Sequence, residues 1–192
     1  MKKNTERLIT NRLILRRFEK TDAVMMFNNW ATDINTVKHL EWDMHANIDE
    51  TNEYIEYVLE KYKKDYTFNW CIEERETGEV IGSISAFNID LKNNICEVGY
   101  AIGSKWHGKG YGTETLTRVL QYLHEEVGFY KIICNCSSEN LASKRIMEKS
   151  NMQLDGVLKR RLKSRFDELN DRADIYTFSY PKDNHYIENN SI

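Results

Sequence analysis

Trp106-His-Gly-Lys-Gly-Tyr-Gly-Thr113 is the stretch that decides how this 192-residue chain folds. Before it, the alternating apolar run Ile95-Cys-Glu-Val-Gly-Tyr-Ala-Ile102 predicts a strand. After it, Leu116, Val119, Leu120, Leu123 and Val127 fall on one face of a helix that Gly128 ends. A glycine-rich turn between a strand and a helix presents backbone N–H groups at the positive end of the helix dipole. That arrangement holds an anion, usually a phosphate. Gly108, Gly110 and Gly112 lack Cβ atoms, so the main chain can approach a ligand closely, and Lys109 adds charge. A plain turn capping an ordinary helix would use the same residues, so the flanking sequence has to separate the two readings.

Upstream, Arg12–Phe18 reads as a first strand. Thr21-Asp22 can cap a short helix that turns Ala23, Met26, Phe27 and Trp30 inward. Asn47, with Glu50 three residues on, caps a second helix running to about Lys64, with Tyr54, Ile55, Val58, Leu59 and Tyr62 on one face. Thr67–Glu74, Glu79–Ile89 and Ile95–Ile102 then form an antiparallel meander through turns at Thr77-Gly78 and Lys92-Asn93-Asn94. Downstream, Tyr130–Cys136 is a strand and Leu141–Lys149 a short helix. Gly156–Arg165 and Arg172–Tyr180 are a closing pair of strands, and the tail from Pro181 is polar and frayed. No linker or repeat interrupts this order. The expectation is one α/β (α+β) domain over residues 1–192, core about 5–180, built on a mixed, mostly antiparallel sheet with helices packed on it.

Composition narrows the function classes. The 27 Lys and Arg against 30 Asp and Glu give a net charge of −3 spread along the chain, which argues against nucleic acid or a membrane surface as partner. No apolar run approaches the roughly 20 residues a membrane span needs. The start Met1-Lys-Lys-Asn-Thr is no signal peptide, so a cytoplasmic location is expected. Cys71, Cys96, Cys134 and Cys136 sit in apolar strand runs without C-x-x-C spacing or a nearby His, which reads as buried free thiols and no metal site.

Three kinds of phosphate loop remain to be told apart. A P-loop string is missing, and the spacing G-x-G-x-G past the middle of the chain is not the G-x-G-x-x-G of a first βαβ unit. His107-Gly-Lys-Gly110-Tyr-Gly112 resembles the pyrophosphate loop of the GNAT N-acetyltransferases, Gln/Arg-x-x-Gly-x-Gly/Ala, at every position but the first. Four further features carry the same resemblance. Asn4 to Phe18 with Thr21-Asp-Ala23 looks like the amino-terminal signature of the ribosomal-protein (RimJ/RimL-like) and small-amine branch. Glu97-Val-Gly-Tyr-Ala-Ile102 looks like its fourth strand, and Glu139-Asn-Leu-Ala-Ser143 with Arg145-Ile-Met-Glu-Lys149 like its N-x-x-S helix. Asn151-Met-Gln-Leu-Asp-Gly156 stands where the branch has a Gly-Phe and a polar run. The resemblance spans about Thr5 to Tyr180. It implies helices on both sheet faces, a splay between the fourth and fifth strands, and acetyl-CoA as cosubstrate in that splay.

The resemblance also assigns residues. The amides of Gly108, Lys109, Gly110, Tyr111, Gly112 and Thr113 hold the pyrophosphate, and the backbone around Ala101 and Ile102 pairs with the pantetheine arm. The main-chain N–H of His107 binds phosphate whatever its side chain does; an exposed loop histidine is the other reading. Asn140 bonds the arm and Ser143 reaches the thiol sulfur, with simple helix capping as the alternative. Many family members place a proton-donating Tyr four residues after that serine; here Met147 stands there and cannot donate.

Glu97 is the candidate base: a charged residue in an apolar strand, sharing a face with Gly99 and Ala101, whose small size leaves room for a substrate. A solvated glutamate is the alternative. Asn135, where other branches carry a base on the fifth strand, cannot titrate. Trp42 and His45, in Glu41-Trp-Asp-Met-His45, lie in a region that lines the acceptor site in relatives; a core aromatic is the other reading for Trp42. The run Lys159–Arg165 would draw an acidic peptide, or is a solvated outer face.

At pH 7 an α-amine is roughly 10 per cent neutral and a lysine amine below about 0.1 per cent, so an α-amine needs least help from a base. The expected acceptor is therefore a protein or peptide N-terminus attacking directly. A small amine or polyamine, or a catalytically silent CoA-binding module, are the alternatives, and a nucleotide-binding oxidoreductase a distant one. Monomer and homodimer both remain open.

Overall fold

The computed structural model describes residues 3–163 and 172–181. Strand β1 (Leu8–Ile9) and strand β2 (Leu13–Arg16) form a hairpin in which the Thr10 N–H donates to the Leu13 carbonyl at 3.0 Å. The expected first strand is thus shorter at both ends and gains a two-residue partner. Asp22 does not cap the following helix forwards. Its carboxylate faces back, accepting two bonds from the Arg16 guanidinium at 2.8 Å and one from the Glu19 N–H at 2.8 Å. A carboxylate only 1% exposed is stabilised by that bidentate partner, which outcompetes a helix terminus. A 3₁₀ turn (Lys20–Asp22), α1 (Ala23–Met26) and a wider π-type turn (Phe27–Ala31) follow in one continuous segment, burying Ala23, Met26 and Trp30.

Asp33 caps a short helix, α2 (Ile34–Val37), that the periodicity did not predict. Helix α3 (Ile48–Lys61) starts where Asn47 accepts the Asp49 and Glu50 N–H groups, while Glu50 reaches one residue further back, to the Ala46 N–H. The meander runs as expected through β3 (Phe68–Glu74), β4 (Val80–Asp90) and β5 (Ile95–Ile102). Helix α4 (Tyr111–Gln121) continues through a wide turn to Gly128 at φ +90°. Next come β6 (Lys131–Ser137), α5 (Leu141–Lys149), β7 (Gln153–Lys163) and β8 (Arg172–Tyr180). Ser164 and Arg165, expected at the end of a strand and of the basic run, lie outside the described residues, as does the tail beyond Pro181.

The eight strands form one sheet in the order β1-β2-β3-β4-β5-β6-β8-β7, antiparallel throughout except between β5 and β6. Helices cover both faces. On one, Leu116, Val119 and Leu120 of α4, Leu123 of the wide turn after it and Met147 of α5 pack with Phe68, Trp70, Val98 and Ile102. On the other, Met26, Trp30, Ile55 and Val58 pack on Cys71 and Ala101. All four cysteines are buried free thiols. Among the described residues no helix is long and apolar enough to cross a membrane.

The parallel seam positions everything that follows. It has three rungs, Ile95↔Lys131, Cys96↔Ile132 and Glu97↔Ile133. Beyond Glu97 the two strands part, although β5 runs five more residues and β6 four. The expected splay between the fourth and fifth strands of the meander-and-crossover order is this opening.

Candidate active site

The cleft has a floor, two walls and an entrance, each set by a different piece of sequence. Glu97 occupies the last rung, so its half-buried side chain sits where β5 and β6 part. The space beside it is smaller than the glycine and alanine suggest. A Cβ built on Gly99 would lie 3.1 Å from Cε1 of Phe87, whose ring covers the glycine from β4. Phe87 is 42% exposed, an aromatic wall that sequence reading missed because strand spacing places it opposite Glu97 and not diagonally over Gly99.

Backbone direction corrects one arm-binding assignment. The Gly103 N–H donates to the Ile81 carbonyl on β4 at 2.9 Å. Main-chain groups alternate along a strand, so those of Ala101 also face β4, and those of Tyr100 and Ile102 face the cleft. Ile102 is therefore placed to meet an extended ligand and Ala101 is not. The Ile102 carbonyl already accepts His107 Nε2 at 2.7 Å and Thr36 Oγ1 at 3.2 Å. Its N–H and the Tyr100 main chain are what a pantetheine amide would find.

The entrance loop holds its glycines for different reasons. Gly108 (φ +74°) and Gly110 (φ +84°) adopt left-handed backbone, and the Gly110 carbonyl accepts the first intrahelical bond, from the Glu114 N–H. The N–H groups of Tyr111, Gly112 and Thr113 lie in the first turn of α4, where no carbonyl of the helix can reach them. Gly112 is a packing residue: a Cβ there would stand 2.6 Å from Cδ1 of Ile146 on α5. His107 departs from expectation too. Its N–H donates to the Ser104 carbonyl at 3.0 Å and is spent on a turn. Its ring donates Nε2–H to Ile102, since a carbonyl can only accept, and so ties the loop to the end of β5. The exposed Lys109 adds its charge at the loop tip.

Arg12, from the β1–β2 hairpin, was not singled out by any motif. Its Nη1 donates to the Lys109 carbonyl at 2.8 Å, its Nε to Glu114 at 2.8 Å, and its guanidinium lies 4.3 Å from the Tyr111 ring centroid. It braces the loop from outside across about a hundred residues of sequence. Arg12→Ala is expected to raise KM for acetyl-CoA about three- to tenfold with kcat unchanged, because the loop then loses preorganisation. Steady-state kinetics at saturating acceptor checks it, and an unchanged KM would reject the brace.

The far wall is α5. Asn140 accepts the Ser143 N–H through Oδ1 at 3.0 Å, realising the capping role and leaving its two amide protons to donate elsewhere. Ser143, 9% exposed, lies 2.8 Å by its Oγ from the Tyr100 hydroxyl. Burial pushes the Tyr100 phenol well above the usual tyrosine range. It also pushes the Cys136 thiol up to about 11, the neighbouring Ser143 hydroxyl offsetting part of the shift. Met147 is wholly buried in the core. Asn135 is exposed on β6.

Trp42 and His45 share the sheet face of Ala101, packed over α3. Their rings lie 5.4 Å apart, and His45 Nδ1 is 2.7 Å from Thr51 Oγ1. Burial lowers the His45 pKa and favours its neutral form. The structure does not bring them into contact with Glu97. In the basic run, Lys159 Nζ pairs with Asp174 at 2.9 Å and the Arg160 N–H with the same carboxylate, so part of that charge is answered locally.

A left-handed glycine loop at a helix start, three-rung seam and parted parallel strands fit the pyrophosphate and arm of a coenzyme A thioester. The pattern described as "Acetyltransferase (GNAT) domain" matches residues 12–153, well over half of the sequence. The chain belongs to the GNAT acetyltransferase family. Enzymes of this family take acetyl from acetyl-CoA, and this GNAT chain is an acetyltransferase of that class.

Among its relatives is an N-acetyltransferase of Bacillus licheniformis named p20, itself uncharacterised. It is 26% identical over 179 residues, 92% of this chain and 97% of the relative. The ribosomal protein uS5-alanine N-acetyltransferase of Escherichia coli is 25% identical over 157 residues, 80% of this chain and 81% of that one. The solved RimL ribosomal L7/L12 α-N-protein acetyltransferase, in complex with coenzyme A, superposes with a TM-score of 0.79 at 16% identity, over 91% of this chain and 97% of that one. This GNAT sheet therefore has the same fold as that structure.

Proposed function

We propose that this single acetyltransferase domain acetylates the α-amine of a protein or peptide by direct attack on acetyl-CoA. The observation that carries the proposal is the position of Glu97 at the apex of the parted strands. There a half-buried carboxylate can take a proton from an amine entering beside Phe87. In this reading the Gly108–Thr113 amides bind the pyrophosphate, Tyr100 and Ile102 pair with the arm, and Ser143 faces the sulfur. Trp42 and His45 form the outer acceptor wall. An α-amine suits this arrangement because it needs only a modest base, whereas a lysine or polyamine needs several pKa units of help. The uS5-alanine and L7/L12 α-amino acceptors of the similar proteins support the same class of acceptor.

Acetyl-CoA or CoA at about a hundred times Kd is expected to raise the melting temperature by about 5–10 °C. A panel of peptide amino termini, lysines and small amines then identifies the acceptor. No thermal shift would reject the coenzyme site, and spermidine turning over faster than every peptide would reject the α-amine. The buried Met147 and the exposed Asn135 favour a second reading, a CoA-binding module without turnover. Binding without thioester cleavage across the whole panel selects that one.

A further inference from the structure

Tyr100 and Ser143 meet across the mouth of the cleft from separate elements. Tyr100 stands on β5, three residues beyond the last rung shared with β6. Ser143 stands in the first turn of α5, which follows β6. Their hydroxyl oxygens are 2.8 Å apart, and the next nearest acceptor for the phenol, the Ser143 carbonyl, is at 3.3 Å. The Cys136 thiol of β6 adjoins the same serine. We propose that Tyr100 is a positioning residue of acetyl transfer: its hydroxyl donates to Ser143 Oγ, so that the serine proton is aimed at the sulfur of the departing thiolate. The proposal rests on the cleft being the acetyl-CoA site.

Hydrogen-bond bookkeeping accommodates this direction. A serine hydroxyl has one proton and two lone pairs, and the phenol has one proton to give. Either oxygen can donate in the 2.8 Å contact, and in the proposed direction the phenol proton fills a serine lone pair. The serine proton is shared with the Cys136 sulfur, where it offsets part of the rise in that thiol's pKa. A departing thiolate, as a charged acceptor, outcompetes that neutral thiol for the proton. Met147, where a proton-donating tyrosine could have stood, offers nothing.

The step is stabilisation by hydrogen bonds, without net transfer of a proton from tyrosine. A coenzyme-like thiol has a pKa near 8.5, below that of even an unperturbed phenol near 10, so passing the phenol proton to the thiolate would run uphill. As the amine nitrogen bonds the carbonyl carbon, the carbon–sulfur bond breaks and its electron pair stays on sulfur. The surplus proton on nitrogen passes to Glu97 or to solvent. The thiolate leaves hydrogen-bonded to Ser143 Oγ–H and is later protonated by solvent. Because burial holds Tyr100 protonated, the donor is present across the working pH range.

The test uses coenzyme A itself and needs no acceptor. Bound CoA is titrated by the ultraviolet absorbance of its thiolate, taken as a difference from the protein alone. Hydrogen bonds to the charged form lower a pKa, so the bound thiol is expected to ionise about one unit below the free one. Tyr100→Phe should remove about half or more of that shift and Ser143→Ala all of it. The double variant should match Ser143→Ala, since residues acting as a unit are not additive. Single-turnover transfer should fall about tenfold in Tyr100→Phe, with Kd for CoA changed by less than about twofold.

An unchanged titration in Tyr100→Phe overturns the proposal, as does a double variant whose shift or rate loss exceeds that of Ser143→Ala alone. Should Tyr100→Phe fail to fold, 3-fluorotyrosine at position 100, a more acidic donor, must move the ionisation further down, and no movement overturns it equally. Failure of the unaltered protein to bind CoA is visible before any variant is made, and removes the coenzyme site itself.

Discussion

Gly110→Val is expected to raise KM for acetyl-CoA about a hundredfold while lowering the melting temperature by only a few degrees. Gly110 holds φ +84°, and an L side chain in that region costs about 1–2 kcal/mol, nearly a factor of ten by itself. Its Cβ would stand 3.4 Å from the Arg12 guanidinium, and valine's two further carbons would reach into that brace and the anion space beside it. Gly112→Val is the contrasting variant. There the Cβ meets Ile146 Cδ1 at 2.6 Å, so overpacking between α4 and α5 lowers stability by about 1–3 kcal/mol and the melting temperature by several degrees. Acetyl-CoA kinetics and thermal unfolding on the two proteins separate binding from packing. A normal KM in Gly110→Val would remove the loop from the coenzyme site.

Glu97→Gln should lower kcat/KM by about 10²–10⁴-fold if Glu97 takes the amine proton. The loss has a defined pH signature. Below the amine pKa, near 8 for an α-amine, most acceptor is protonated and depends on the base. As pH rises through that value the amine is neutral without help, so the variant should recover towards the unaltered enzyme. A small loss that is flat with pH would leave Glu97 as a wall of the cleft and no more. Gln keeps the volume and the hydrogen-bonding edge, so the seam at Ile133 is undisturbed and the comparison reports charge and proton uptake.

Elements with a clear period were legible in the sequence. Strand β5 and helices α4 and α5 follow from alternation, from the 3.6-residue apolar face and from caps at Asn140 and Gly128, all local signals. Two elements escaped because they are too short to have a period: the pair Leu8–Ile9 and the single turn Ile34–Val37. The site was less legible, since its decisive contacts join residues far apart in the chain. Gly112 against Ile146, Phe87 over Gly99, Arg12 on the Lys109 carbonyl and Tyr100 on Ser143 are all tertiary placements. Direction within a strand was a further blind spot. Spacing told which side chains share a face, but only the Gly103–Ile81 bond told that Ala101 turns its main chain away from the cleft.

The three-rung seam between β5 and β6 bears on how long such a protein survives. Its C-terminal leaf of β6, β8 and β7 meets the rest of the sheet through few shared bonds and through α5 leaning on α4. Partial opening along that line costs less than global unfolding, and a protease acts on whichever opening is cheapest. In the proposed reading a thioester between the leaves would bond to both and raise that cost. Limited proteolysis with and without acetyl-CoA should then differ, the leaf being protected when the coenzyme is bound.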